Sequence, residues 1–374
     1  MSPAPGQAPV SVAAVRRHRH RAPLLHPFVT AARRTEAVEY VVVEVELSDG
    51  TVGQGSAAET VAVTGEDAAS IEAAVDGVFG PALTGATGGL DGLLACLPAP
   101  ARGATSARSA VDVAVHDAVA RAAGVPLTAL LAPAGTAVKQ TLENDMTVSL
   151  EDPATMAARA AEAVAAGTRI LKIKLGRDVA EDRRRLHAVL EAAPQARLRL
   201  DANQGWSVED AIAIISGMED EGLPVDLVEQ PVAAADVAGL ARVRAAVTTP
   251  IMADEALWSS EDARRLIEAG AADLFNVKLA KTGGLADAVA IADLAAEHGI
   301  GCMVGSMMEP RISIAAAVQL SLAHPAVTMV DLDAPLWFAS DAPAGGYTQE
   351  GADLRLLPGE GLALERLDPG TDPV

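Results

Sequence analysis

The chain has 374 residues, half of them hydrophobic but only 2% aromatic, and a formal net charge of −21. That length accommodates an α/β barrel of about 250 residues plus a smaller domain, with a core filled by Ala, Val, Leu and Ile. The acidic balance argues against nucleic acid or an anionic membrane as a partner, and no stretch of about 18 uncharged apolar residues offers a membrane span.

The first fifteen residues lack a basic start followed by a long apolar run, so no signal peptide is expected. Residues 10–65 read as strand and turn. Val41 to Leu47 is β-branched and alternates with Glu44 and Glu46, and Ser48-Asp49-Gly50 supplies the turn of an antiparallel meander. The basic run Arg16 to Arg21, with His18 and His20, reads as a solvated strand edge. Residues 66–131 read as Ala-rich helix, with an amphipathic run from Ser106 to Ala123. Cys96 and Cys302 share no metal-type spacing and are expected as two buried thiols in a reducing cytoplasm.

From about Val138 short apolar strands alternate with Ala-rich helices, the pattern of βα units and a parallel sheet. Strands are expected near Gln140–Val148, Ile170–Leu175, Arg197–Asp201, Asp226–Glu229, Ile251–Ala253, Leu274–Val277, Cys302–Val304 and Thr328–Leu332. Their spacing of about 24 to 28 residues suits one strand, one helix and two loops. Eight of them suggest a closed barrel. The boundaries are then 1–133 for a first domain, 134–345 for the barrel, and 346–374 for a Gly- and Pro-rich segment returning to the first domain.

Charged residues end these strands: Lys172 and Lys174, Asp201, Glu229, Asp254, Lys278, then Asp331 and Asp333. In a barrel all such ends crowd one mouth. A lone Asp after a strand is commonly a helix cap. Three carboxylates from successive strands, with no Cys or His among them, suit a hard cation instead, Mg²⁺ first and Mn²⁺ second. Lys174 and Lys278 flank them. Burial, a cation and the neighbouring Lys172 should lower their pKa toward that of a useful base. A cation on a substrate carboxylate, with one lysine on each face of the adjacent carbon, is the arrangement that proton exchange with inversion needs.

The KxK run, Asp201-Ala202-Asn203-Gln204-Gly205-Trp206, Val228-Glu229-Gln230-Pro231, Ala253-Asp254-Glu255 and Asn276-Val277-Lys278-Leu279-Ala280-Lys281 resemble the muconate-lactonizing-enzyme subgroup of the enolase superfamily. The resemblance runs from about Pro27 to the tail. It implies an α/β fold, a modified TIM barrel (β/α)7β carrying an N-terminal α+β capping domain. It also implies one Mg²⁺ per subunit on Asp201, Glu229 and Asp254, with Lys174 and Lys278 as the acid/base pair. That superfamily uses a Lys or His base with Mg²⁺ stabilising an ene-diolate.

Asp331-Leu332-Asp333 is similar to the DxD element of dipeptide epimerases, whose carboxylates hold a substrate α-ammonium. The charge argument agrees, since two carboxylates at one mouth call for a cation between them. The resemblance further implies substrate contacts from Thr147 and from Ser306-Met307-Met308. It also implies a specificity loop at Leu24 to Thr35, where Arg33 (or its neighbour Arg34) would meet a side-chain carboxylate as Ala-Glu epimerases do. Gly55-Ser56 stands where Gly-Glu is usual, and Asn144 where Thr is usual.

The expected function is Mg²⁺-dependent epimerisation of a dipeptide at the α-carbon of its second residue, by a cytoplasmic homo-oligomer with no nucleic-acid or membrane partner. N-acylamino acid racemases, o-succinylbenzoate synthases and muconate cycloisomerases share the lysines and ligands but give Asp331 and Asp333 no cation to hold. A non-catalytic metal-binding scaffold should have lost a ligand or a lysine, and none is missing.

Overall fold

The computed structural model describes residues 6–29, 34–176, 178–340 and 342–367. Four antiparallel strands open the chain: β1 (Val10–Val29), β2 (Arg34–Leu47), β3 (Val52–Ala58) and the short β4 (Thr87–Gly88), in the order β3-β2-β1-β4. The β1–β2 ladder extends to Phe28↔Thr35 and Val29↔Arg34. The expected loop from Leu24 to Thr35 is therefore strand in its described parts, and Arg33 lies outside the described residues. The basic run on β1 is ion-paired across the sheet and to helix α1 (Ala68–Ala74), with Arg17 2.5 Å from Glu72 and Arg19 also on Glu72.

Helix α2 (Thr105–Ala122) is not amphipathic as expected: residues 105–120 are all buried. The sheet covers one side and barrel elements cover the other. Glycines permit the closeness, since a Cβ on Gly55 would lie 2.0 Å from Ala110 O and one on Gly53 2.2 Å from Ala118 N. The helix's two buried aspartates accept from backbone N–H groups of neighbouring elements. Asp117 accepts from Gln54 N at 2.9 Å, and Asp112 accepts from Leu285 N at 2.7 Å. The first bond joins the helix to its own sheet, and the second ties the first domain to the barrel.

The barrel follows. Its parallel strands are β6 (Met146–Val148), β7 (Ile170–Lys174), β8 (Arg197–Asp201), β9 (Val225–Glu229), β10 (Ile251–Ala253), β11 (Leu274–Lys278), β12 (Gly301–Gly305) and β13 (Val327–Asp331). Each of the first seven leads into a helix: α3 (Pro153–Ala165), α4 (Val179–Ala192), α5 (Val208–Glu221), α6 (Val237–Ala246), α7 (Ser260–Glu268), α8 (Leu285–Glu297) and α9 (Arg311–Ala323). β13 leads only into a 3-10 turn, so the unit is (β/α)7β. Asp152, Asp178, Ser207, Asp236 and Ser259 cap five of the helices by accepting from backbone N–H groups in the first turn. Leu227, Met252 and Met303 fill the lower barrel.

Two expectations change. The segment expected as one strand, Gln140–Val148, splits. β5 (Leu142–Glu143) pairs with β15 (Asp353–Leu356), beside β14 (Tyr347–Glu350), and only β6 joins the barrel. The barrel is also only nearly closed. Among the described residues β6 and β13 share no backbone ladder. Side chains close this seam: Asn144 Oδ1 accepts from Leu332 N at 2.9 Å, Asp333 Oδ2 from Thr147 N at 2.7 Å, and Arg199 donates to Val330 O at 2.7 Å.

The tail contacts the first sheet, where Arg366 meets Glu44 at 2.7 Å and Gln54 Nε2 donates to Leu367 O at 3.1 Å. Ser56 bonds Ser313 on α9 at 2.7 Å. Cys96 is exposed, contrary to expectation, in the turn after the short helix Leu90–Leu94; Cys302 is buried on β12 and its thiol is pushed up to about 12. Among the described residues no helix is long and apolar enough to cross a membrane.

Candidate active site

Strand register sets the rim. Lys174 is level with Asp201, and Asp201 with Glu229; on the other arc Lys278 is level with Gly305, and Gly305 with Asp331. Side chains alternate along a strand, so Lys172 points inward one layer below Lys174. Gly305 has a reason to lack a side chain, since a Cβ there would lie 2.6 Å from Asn276 Oδ1 and 3.1 Å from Lys278 Cε.

The layer is a buried ionic lattice. Lys174 Nζ donates to Asp201 Oδ2 at 2.5 Å, and Lys278 Nζ to Asp254 Oδ2 at 2.8 Å. Lys172 Nζ lies 2.6 Å from Asp331, 2.7 Å from Glu229 and 3.5 Å from Asp201. Lys281, which sequence reasoning passed over, is fully buried and donates to Asp254 Oδ1 and O, both at 2.5 Å. Asn276 donates to Glu229 Oε1 at 2.7 Å, and Gln230 Oε1 accepts from the backbone N–H of Asp254 and Ala256. Asn203, Gln204 and Gln230, which follow the Asp201 and Glu229 strand ends, have φ of 44°, 65° and 36°. Strain of this kind gathers at functional sites.

The pKa of Lys278 runs opposite to the expected lowering while the carboxylates that would hold the cation face it. Burial alone would lower it, but Asp254 and Glu229 raise it well above the ordinary value. Lys172 is raised likewise by Asp331, Glu229 and Asp201 against its burial. The carboxylates facing these two ammonium groups, which a cation would engage, account for the difference.

Carboxylates remain in excess of the lysines. Burial, then the charges of Asp254 and Asp201, push Glu255 up to about 7. Glu229 is raised by burial and by Asp201. Among the described residues the three ligand candidates do not close around one metal-sized point; each is drawn to a lysine. Three buried carboxylates, Asp201 and Glu229 level on their strands and Asp254 just past the end of β10, raise a fourth by their field and form a donor set that fits a hard divalent cation. Asp201, Glu229 and Asp254 would hold it.

Above this layer opens a cavity of about 580 Å³. Lys174, Lys278, Asp254, Thr147, Ser306, Met307, Met308, Asp331 and Asp333 line it, whereas Asp201, Glu229 and Lys172 do not. Asp333 is past the end of β13, at φ −83° and ψ −6°, so it is not a strand residue as expected. It accepts from Thr147 N and from Trp337 Nε1 at 3.2 Å. The first domain adds Phe28, Ala62, Val63 and Arg102, and the loop after β10 adds Trp258. Phe28 belongs to the segment expected to set specificity; no sequence signal marks the others, because only the approach of the two domains brings them together.

Residues 12–132 match the N-terminal domain of mandelate racemase / muconate lactonizing enzyme, and residues 155–367 match the enolase C-terminal domain-like family. The chain belongs to the mandelate racemase / muconate lactonizing enzyme family. Within this family it is 38% identical over 348 residues to the L-Ala-D/L-Glu epimerase of Clostridium acetobutylicum, covering 92% of this chain and 96% of that one. A substrate-liganded L-Ala-D/L-Glu epimerase from Bacillus subtilis superposes with a TM-score of 0.90 at 38% identity, covering 95% and 98% of the two chains. The Enterococcus faecalis dipeptide epimerase, complexed with Mg and L-Leu-L-Tyr, gives 0.88 at 32% identity, covering 95% and 100%. The family layout, a capping domain over a (β/α)7β barrel, is the one described above.

Proposed function

We propose that the protein is a Mg²⁺-dependent dipeptide epimerase acting at the α-carbon of the second residue, with L-Ala-D/L-Glu the first substrate to test. Mn²⁺ is the second candidate metal, at one ion per subunit. One observation carries the reading: Lys174 and Lys278 line one cavity from β7 and β11, four places apart in an eight-strand ring, beside two carboxylates, Asp331 and Asp333. The exposed thiol of Cys96 is in keeping with a reducing, cytoplasmic location.

The chain's own groups can do the following. Asp331 and Asp333 would receive the substrate α-ammonium and fix which carbon lies between the lysines. One lysine removes the α-proton, and the electron pair spreads into the adjacent carboxylate. The opposite lysine returns a proton on the other face, inverting the centre. Which lysine takes the proton and which returns it is set by the epimer bound, and for the other epimer the roles exchange. A bound divalent cation would stabilise the charge gathering on the carboxylate oxygens. Met307 and Met308, both buried on the loop after β12, would help exclude water. Arg33 remains our candidate for the side chain of the second residue.

The test is proton NMR of the purified protein with MgCl₂ and L-Ala-L-Glu in D₂O. The expected result is loss of the glutamyl α-proton signal together with appearance of the L,D diastereomer. Turnover of N-acetylated amino acids in place of free dipeptides would overturn the reading.

A further inference from the structure

The first domain brings four described residues to the cavity, Phe28, Ala62, Val63 and Arg102, and among them only Arg102 is charged. Its guanidinium carbon lies 3.5 Å from the centroid of the Trp258 ring. Stacking of this kind orients the guanidinium and leaves its N–H edge free. Trp258 is itself fixed, with Nε1 donating to Glu255 O at 2.8 Å and its backbone N to Asp262 at 3.1 Å. The acid whose charge acts on it, Asp262, is already engaged, accepting from Arg265 at 2.9 Å. Arg102 has no hydrogen-bond or ion-pair partner among the described residues and is exposed to the cavity. Burial and then the nearby Arg265 lower its pKa, against Asp262, so an arriving anion would relieve it.

The ring order adds direction. Trp258 follows β10, which is three strands from β13 and four from β6. The acidic pair Asp331 and Asp333 and the basic Arg102 therefore stand at opposite sides of one cavity, with the lysines between. A substrate carrying an ammonium at one end and an extra carboxylate at the other matches both.

We propose that Arg102, held flat on Trp258, is a specificity-determining residue that receives the side-chain carboxylate of an acidic second residue in the substrate. This rests on the dipeptide reading above and adds a selector to it that is independent of Arg33. The α-carboxylate would be received by the cation that Asp201, Glu229 and Asp254 are suited to hold, so the two carboxylates of an acidic residue have separate receivers.

The experiment compares kcat/KM for L-Ala-L-Glu and its neutral isostere L-Ala-L-Gln in wild type, Arg102→Met and Arg102→Lys. Wild type should prefer Glu. Arg102→Met should lose about tenfold to a hundredfold on the Glu dipeptide and stay within about threefold on the Gln dipeptide. Arg102→Lys should fall between, keeping the charge but not the planar fork. Equal loss on both substrates, or no loss on either, overturns the assignment, the first by assigning Arg102 to the α-carboxylate or to domain packing. Unchanged Gln turnover reports that each variant is folded. Wild type that epimerises both dipeptides without preference sinks this inference alone, whereas wild type inert to both sinks the dipeptide reading with it.

Discussion

Asp331 and Asp333 are two residues apart and share one cavity, yet their charges are held oppositely. Asp331 accepts from Lys172 Nζ at 2.6 Å. Against its burial, Lys172, Lys174 and Lys278 hold it down at about 2. Asp333 meets only neutral donors, Thr147 N and Trp337 Nε1, and burial followed by the charge of Asp331 raises its pKa.

The pair therefore titrates in order. As pH falls, Asp333, raised from its ordinary value, gains its proton first while Asp331 stays anionic. KM for a free-amine dipeptide should rise on that acid limb. Asp333→Asn should cost about tenfold to a hundredfold in kcat/KM and flatten the limb. A wild-type KM that does not change with acidification would count against Asp333 as a receiver of the ammonium.

Lys174→Ala and Lys278→Ala should each abolish epimerisation. Each variant should still exchange the α-proton of one epimer with D₂O, and the two should choose opposite epimers. Mass spectrometry of recovered dipeptide reads this directly. Near wild-type epimerisation in either variant would exclude a two-base route.

Mg²⁺ should raise the thermal midpoint, because a ligand that binds only the folded state at about 100 times its Kd adds about 2.7 kcal/mol. Asp201→Asn and Asp254→Asn should remove most of this shift. A shift kept in both variants would move the cation elsewhere.

Lys139 should matter for stability alone. Its ammonium donates to Ser321 O at 2.9 Å, His324 O at 2.5 Å and Val327 O at 2.7 Å, between the end of α9 and the start of β13. Lys139→Met leaves those carbonyls unmet and should cost about 2–3 kcal/mol in urea unfolding. Gln140→Ala, at an exposed neighbour, should stay within about 0.5 kcal/mol.

What could be read in advance was whatever is local. Arg197–Asp201 and Ile251–Ala253 are strands with the expected limits, because short apolar runs between helical segments carry their own signal. Asp201, Glu229 and Asp254 follow from them, since any residue ending a barrel strand faces the same mouth. Properties set by several elements at once were hidden. The burial of α2 depends on two layers closing over it. The pKa of Lys278 depends on Asp254 and Glu229 from two other strands. Asn144 looked like a strand residue, but its side chain is spent on the β13 seam. Arg102 and Trp258 come from different domains, and nothing in either segment announces the other.

That seam has an evolutionary consequence. The side chain best suited to receive a substrate ammonium, Asp333, is also one of the stitches joining β6 to β13. Drift at this position is filtered twice, once by substrate and once by fold. Asn can keep the stitch while surrendering the charge; Ala surrenders both. A descendant taking uncharged substrates should therefore reach them through Asn, or after a new bond elsewhere has sealed the gap. Arg102 carries no such second duty, so new preferences for the far end of the substrate can arise there at little cost to the barrel.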